Sequence, residues 1–130
     1  MAARLHLDTH VVVWLHAGDL DKFSSTALLA LEASPLVYAP ALLLELQYLF
    51  EIGRISPQPA TILADLGREI GLEACTLPYL AVMQAACAEA WTRDPFDRAI
   101  AAQARLSQSR LLTRDRKILA HYSAAFWEDC

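Results

Sequence analysis

Short apolar segments that end in a turn or capping residue and lead into helical patterns recur along this chain, and that alternation constrains its fold more than any other feature. Arg4–Leu7 reads as a strand ending at Asp8, followed by a helix through Trp14 and His16 that stops near Gly18. Ser24 and Ser25 precede an Ala/Leu-rich helix over Thr26–Ala33. Leu36–Ala39 is the next short strand, closed by Pro40, and Ala41–Ile52 is helical with Gly53 at its end. Ser56-Pro57 opens a helix over Pro59–Ile70 that Gly71 stops. Leu72–Thr76 reads as a third strand and Pro78–Ala90 as a helix. Asp94-Pro95 has the form of an N-cap followed by proline at the first helical position, opening a helix to Leu106. Arg110–Thr113 is a fourth strand, Asp115–Ala120 one or two helical turns, and Ala125–Trp127 a last edge strand. Strands alternating with helices predict an α/β fold, with a central parallel sheet of four to five short strands and helices on both faces.

The size and composition suit one domain over residues 1–130. The chain is 55% hydrophobic and 20% charged, without low-complexity tracts or repeats, which argues for a packed core and against disorder. Its most apolar stretch, 35–50, contains Pro40 and Glu45 and is shorter than the roughly 20 residues a membrane-spanning helix needs. The apolar start is broken by His6, Asp8, His10 and His16, unlike a secretory leader, so a cytoplasmic location is expected. Three cysteines (Cys75, Cys87, Cys130) with no CxxC spacing suggest neither a disulfide frame nor a thiolate metal site.

The net charge of −4 is unevenly placed. Residues 1–92 hold 4 Lys/Arg and 10 Asp/Glu, whereas residues 93–130 hold 7 and 5. Charge alone allows this basic end to be either a solvated face or a phosphate-binding stripe.

Four acids stand out. Glu45 shares its helical face with Ala41, Leu42, Tyr48, Leu49 and Ile52, opposite Gln47, Glu51 and Arg54. A carboxylate on an apolar stripe is costly unless it is paired with an arginine, protonated or bound to a cation. Asp97 follows the Asp94 cap by three residues, so it suits either a capping box or a site at the helix start. Asp8 and Asp115 each lie just past a strand, where Asp is also an ordinary turn or cap residue. In an open α/β sheet, however, the carboxyl ends of the strands form the binding edge, and Asp8, Asp97 and Asp115 converge there for topological reasons. Four carboxylates brought together repel one another by several kcal/mol unless a cation intervenes. Hard oxygen donors in that number, without His or Cys, select Mg²⁺ or Mn²⁺. Thr9 and Thr113 are placed to hydrogen-bond these ligands. The four histidines match no zinc spacing and are expected to be structural or surface residues.

Leu7-Asp8-Thr9-His10, the Glu45 helix, Arg93-Asp94-Pro95-Phe96-Asp97-Arg98 and Leu111-Leu112-Thr113-Arg114-Asp115 together resemble the PIN-domain nucleases, and more narrowly the VapC-type toxins of bacterial toxin–antitoxin pairs. The resemblance runs through nearly the whole chain in the family's order, and Asp-Pro-Phe-Asp-Arg is its most specific block. It implies a three-layer PIN-like fold and an endoribonuclease using Mg²⁺ or Mn²⁺ on a tRNA or other structured RNA. Water would attack phosphorus in line, leaving a 5′-phosphate and a 3′-hydroxyl. The family's acids map onto Asp8, Glu45, Asp97 and Asp115, with Asp94 beside them, and Arg93, Arg98, Arg114 and Arg116 would bind the RNA backbone. A cognate antitoxin and a homodimer are the implied partners. Relatives often carry His where this chain has Thr92. A non-catalytic PIN-like domain that binds RNA or protein is the alternative, but such domains usually lose one or more of the acids. A haloacid-dehalogenase-type phosphatase would need an acid at position 10, where this chain has His10. A receiver-type domain would need clustered acids at the first strand.

Overall fold

The computed structural model describes residues 3–128. Five strands, β1 (Leu5–Leu7), β2 (Leu36–Tyr38), β3 (Glu73–Ala74), β4 (Arg110–Leu112) and β5 (Ala125–Phe126), form one parallel sheet in the order β3-β2-β1-β4-β5. The helices that connect them are α1 (Thr9–Ala17), α2 (Ser25–Ala33), α3 (Pro40–Glu51), α4 (Pro59–Ile70), α5 (Tyr79–Ala88), α6 (Pro95–Leu106) and α7 (Arg116–His121). They cover both faces of the sheet, giving the three-layer α/β arrangement expected from the alternation.

The strand order explains where a site can form. The chain builds outward from β1 through β2 to β3, then returns to place β4 on the opposite side of β1. The connections leaving β1 and β4 therefore diverge, and a crevice opens beyond their carboxyl ends. β1 pairs with β4 through Leu5–Arg110, His6–Leu111 and Leu7–Leu112. This register sets Asp8 alongside Leu112, whose carbonyl accepts the Asp8 N–H at 3.0 Å.

Local chemistry fixes the element ends. Gly71 and Gly18 close α4 and α1 with φ of 72° and 77°, the left-handed region where a side chain would be strained. The pyrrolidines of Pro40, Pro59 and Pro95 occupy first-turn positions, where a missing N–H costs nothing. A short 3₁₀ turn at Leu20–Lys22, not anticipated from the sequence, joins α1 to α2.

The core is centred on β1, with Leu5, Leu7, Leu111 and Leu112 fully or almost fully buried under Val11, Val12, Leu42, Leu46, Ile62 and Ile100. Small residues let α6 sink deeply, so that Ala99 to Ala104 are all buried. Gln103 within that run donates at 2.9 Å to the Cys75 carbonyl, tying α6 to the end of β3. Among the described residues, no helix is long and apolar enough to cross a membrane.

One expectation about α3 needs correction. Leu42 and Leu46 are its buried residues, whereas Tyr48 and Ile52, assigned to the face of Glu45, are 52% and 49% exposed. The periodicity identified an apolar surface of α3, but much of that surface lies outside the core. Glu45 is half-buried at the edge between the two.

Candidate active site

Three helices begin at the crevice, and each begins with an aspartate. Asp8 caps α1 by accepting the Thr9 N–H at 2.8 Å. Oδ1 of Asp94 caps α6, accepting from Phe96 N at 2.8 Å and Asp97 N at 3.1 Å. Asp115 caps α7 in the same way, its Oδ1 accepting from Lys117 N and Ile118 N. Helix N-termini carry partial positive charge and unpaired N–H groups, so each start favours a carboxylate. Glu45 from α3 and Asp97 from the first turn of α6 complete the set. Asp8, Glu45, Asp94, Asp97 and Asp115 all line one open cleft of about 380 Å³.

The two threonines hold this ring in place. Thr113 donates to Asp8 Oδ2 at 2.6 Å and accepts from Asp115 N at 3.0 Å, linking β1 to the start of α7. Thr9 donates to Glu45 Oε1 at 2.5 Å, linking α1 to α3. Glu45 thus meets a hydroxyl, and it makes no ion pair among the described residues. The arginine-pair reading of this residue falls away. The capping-box reading of Asp97 falls away too, because the Asp94 N–H goes to Thr92 Oγ1 at 3.2 Å. Thr92, at the position where relatives often have His, serves the turn into α6; its carbonyl also takes Arg98 Nε at 2.8 Å.

The crowding has an electrostatic signature. Asp97 is pushed up from its ordinary 3.8 to about 7, chiefly by burial and then by Asp94, Asp8, Asp115 and Glu45. Burial likewise raises Glu45, assisted by Asp8, Asp94 and Asp115 and opposed by the Thr9 hydrogen bond. Such a site stores uncompensated negative charge, which protons or a cation can relieve.

Among the cleft-lining residues absent from the sequence-based site, His10, Trp14 and Arg54 carry polar or aromatic chemistry. His10 Nε2 accepts the Arg114 backbone N–H at 2.9 Å, and Nδ1 lies 3.5 Å from Asp8 Oδ2. With Nε2 used as an acceptor, the neutral ring carries its proton on Nδ1, facing Asp8. Burial lowers the His10 pKa, favouring that neutral form against the pull of Asp8 and Asp115. Its place two residues after Asp8, on the first turn of α1, was the available sequence signal. Arg54 had none, because the turn after α3 brings it round from the face read as solvent-directed.

The four arginines expected at the site separate. Arg98 is engaged by the Thr92 carbonyl at 2.8 Å and the Cys87 carbonyl at 3.4 Å, and Arg93 reaches the Ala90 carbonyl at 3.2 Å. Both brace the α5–α6 connection, and neither lines the cleft. Arg114 and Arg116 are exposed beside it.

The donors fit a hard divalent cation: every carboxylate presents oxygen, and a cation would offset the crowding of negative charge that, with burial, raises Asp97 and Glu45. Among the described residues, no three His, Cys, Asp or Glu side chains converge to metal-binding distance as they stand. Helix N–H groups and threonine hydroxyls hold several of their oxygens.

A model of the PIN domain family matches residues 5–124. No curated protein matches the sequence. Among solved structures, VapBC2 from Rickettsia felis bound to a promoter DNA fragment is similar, with a TM-score of 0.65 at 16% identity over 96% of this chain and 97% of that one. A toxin–antitoxin complex from Klebsiella pneumoniae gives 0.62 at 18% identity, covering 94% and 95%. A domain of a functionally unknown protein from Methanocaldococcus jannaschii gives 0.63 at 19% identity, covering 99% and 93%.

Proposed function

The chain belongs to the PIN-domain family, and from that premise we propose that it is a metal-dependent endoribonuclease, the toxin of a toxin–antitoxin pair, active as a single domain over residues 1–130. The observation that carries this reading is the carboxylate-lined cleft at the β1–β4 switch point, where burial and four neighbouring acids push Asp97 to about 7.

Asp8 and Asp97 are the principal metal ligands in this reading, with Glu45 and Asp115 completing the site. Bound Mg²⁺ or Mn²⁺ supplies a Lewis acid that offsets phosphate charge and promotes ionisation of the attacking water. The chain's own residues do the positioning. Thr113 and the Thr9 N–H hold both oxygens of Asp8, and Thr9 fixes Glu45 against α1. Attack by water on phosphorus breaks the bond to the 3′-oxygen, which leaves as a hydroxyl, while the 5′ side retains the phosphate. Arg54 and Arg114, on the cleft wall and beside it, are suited to the flanking phosphates.

That toxin–antitoxin assemblies share this fold supports the toxin assignment, with an antitoxin covering the acidic cleft. An exposed apolar surface supports homodimerisation: Leu44 on α3, with Tyr79 and Leu80 on α5, is 64–78% exposed beside an apolar hollow of about 440 Å³. Calorimetric titration with Mn²⁺ and cleavage of total RNA form the test. Binding that Asp97→Ala abolishes, with 5′-phosphate products that Asp8→Asn does not generate, is the expected result. Mn²⁺ binding indifferent to Asp97→Ala, or undiminished cleavage by Asp8→Asn, overturns the assignment.

A further inference from the structure

The acidic cleft continues on one side into two further hollows, and shared residues show their continuity. His10, Trp14 and Asp115 line both the cleft and a small hollow of about 280 Å³ completed by Arg114. Arg114 also lines a groove of about 730 Å³ with Lys22, Arg116, Phe126 and Trp127. This volume lies within the roughly 300–1,000 Å³ typical of small-ligand sites. The junction is pinned from below, since the Arg114 N–H is held by His10 while its guanidinium lies 5.9 Å from the Trp14 ring centre. Lys22 Nζ lies 5.1 Å from the centre of that ring.

The charges along this path differ in kind from those in the cleft. Arg114 and Arg116 are exposed and make no ion pair among the described residues. Lys22 has only a loose, solvent-exposed pairing with Asp19 at 3.7 Å. Asp21 and Glu128 also line the groove, so among the described residues three cations stand against two anions, beside a strongly negative cleft. A phosphate strand crossing the carboxylates needs cations on their flank, and the half-buried rings of Trp14 and Phe126 add a surface on which bases can rest.

From this continuity we propose that the groove between β5 and the 3₁₀ turn is a nucleotide subsite. The substrate strand leaves the cleft past Trp14, and the neighbouring phosphates are gripped by Arg114 and Arg116. The subsite rests on the ribonuclease reading above and gives that reading a direction across the molecular surface.

The test uses the inactive Asp8→Asn protein with Mn²⁺ and a fluorescein-labelled oligouridylate of eight nucleotides, its anisotropy followed through a salt series. Adding Arg114→Gln and Arg116→Gln is expected to weaken binding about 10-fold and to lower the salt slope by roughly 1.4, at about 0.7 per lost phosphate contact on a single strand. Arg68→Gln, the loss of one positive charge on α4 away from the groove, is expected to alter neither. In the cleaving protein, the double substitution should raise KM more than it lowers kcat. If the parent protein cleaves RNA while the double variant keeps both its affinity and its salt slope, the subsite alone is refuted, including the case in which an antitoxin occupies the groove. If the parent protein neither cleaves nor binds RNA, the function reading and the subsite fall together.

Discussion

At the residue scale, the site is governed by where each carboxylate oxygen is already committed. Thr113 binds one oxygen of Asp8 and receives the N–H of Asp115, so a single hydroxyl aligns two of the acids. Thr113→Val removes both contacts and leaves a buried carboxylate oxygen with only the longer 3.5 Å approach of His10 Nδ1, at a cost of about 1–3 kcal/mol. We expect kcat to fall 10-fold or more, as is common when a ligand's orienting partner is lost, with Thr113→Ser restoring most of it. Asp97 offers a test in the metal-free protein. Its folded-state pKa of about 7 lies above the ordinary 3.8, so folding takes up a proton between these values and stability falls as pH rises through that window. Below about pH 4 the side chain is protonated in both states and the penalty is absent; above about pH 7 it is complete. Asp97→Asn should therefore raise Tm at pH 8 by roughly 5 °C, after allowance for solvent screening, and change it little at pH 4. Thermal melts at the two pH values, without and with Mn²⁺, check this, because a bound cation should reverse the order of the two proteins.

At the element scale, α6 is the part of the fold most clearly written in the chain. Asp94-Pro95 starts it where the sequence predicts, and the alanines that follow explain how a helix can lie so deep with a carboxylate at its mouth. Asp94→Ala should cost about 1 kcal/mol by chemical denaturation, and Asp94→Asn much less, since an amide caps as well as a carboxylate. Helix α3 was less legible. Its apolar period gave the correct limits to within a residue, but periodicity does not distinguish a surface buried in the core from one left for another molecule. Tyr48 and Ile52, placed on the apolar face of Glu45, are instead about half exposed. The histidines show a different limit. His10 matches no ligand spacing, and only the pairing of β1 with β4 brings the Arg114 N–H to its ring. Arg98 carried a charge that suggested phosphate, yet backbone carbonyls 6 and 11 positions away claim its guanidinium. Capping and turn signals are local and could be read directly. The destination of a long cationic side chain depends on tertiary contacts that no local pattern records.

At the scale of the whole molecule, the exposed apolar surface of α3 and α5 and the acidic cleft share helix α3, with Leu44 on one side and Glu45 on the other. If the apolar surface joins two copies, Leu44→Glu with Tyr79→Lys should halve the mass measured by light scattering while leaving the cleft intact and its Mn²⁺ affinity within about twofold. The strand order also separates the sources of stability and reactivity: the leucines of β1 and β4 hold the sheet centre, while the helices leaving those strands open the crevice. The three aspartate caps then acquire a consequence for how such a protein can be disarmed. Asp8, Asp94 and Asp115 each seal a helix through one or more N–H bonds, a duty that asparagine's amide oxygen performs equally well. Removing their charge therefore need not remove the architecture. On the ribonuclease reading, a lineage, or an experimenter, could silence the cleft one amide at a time and keep a folded decoy with the same silhouette, still able to compete for whatever recognises its shape.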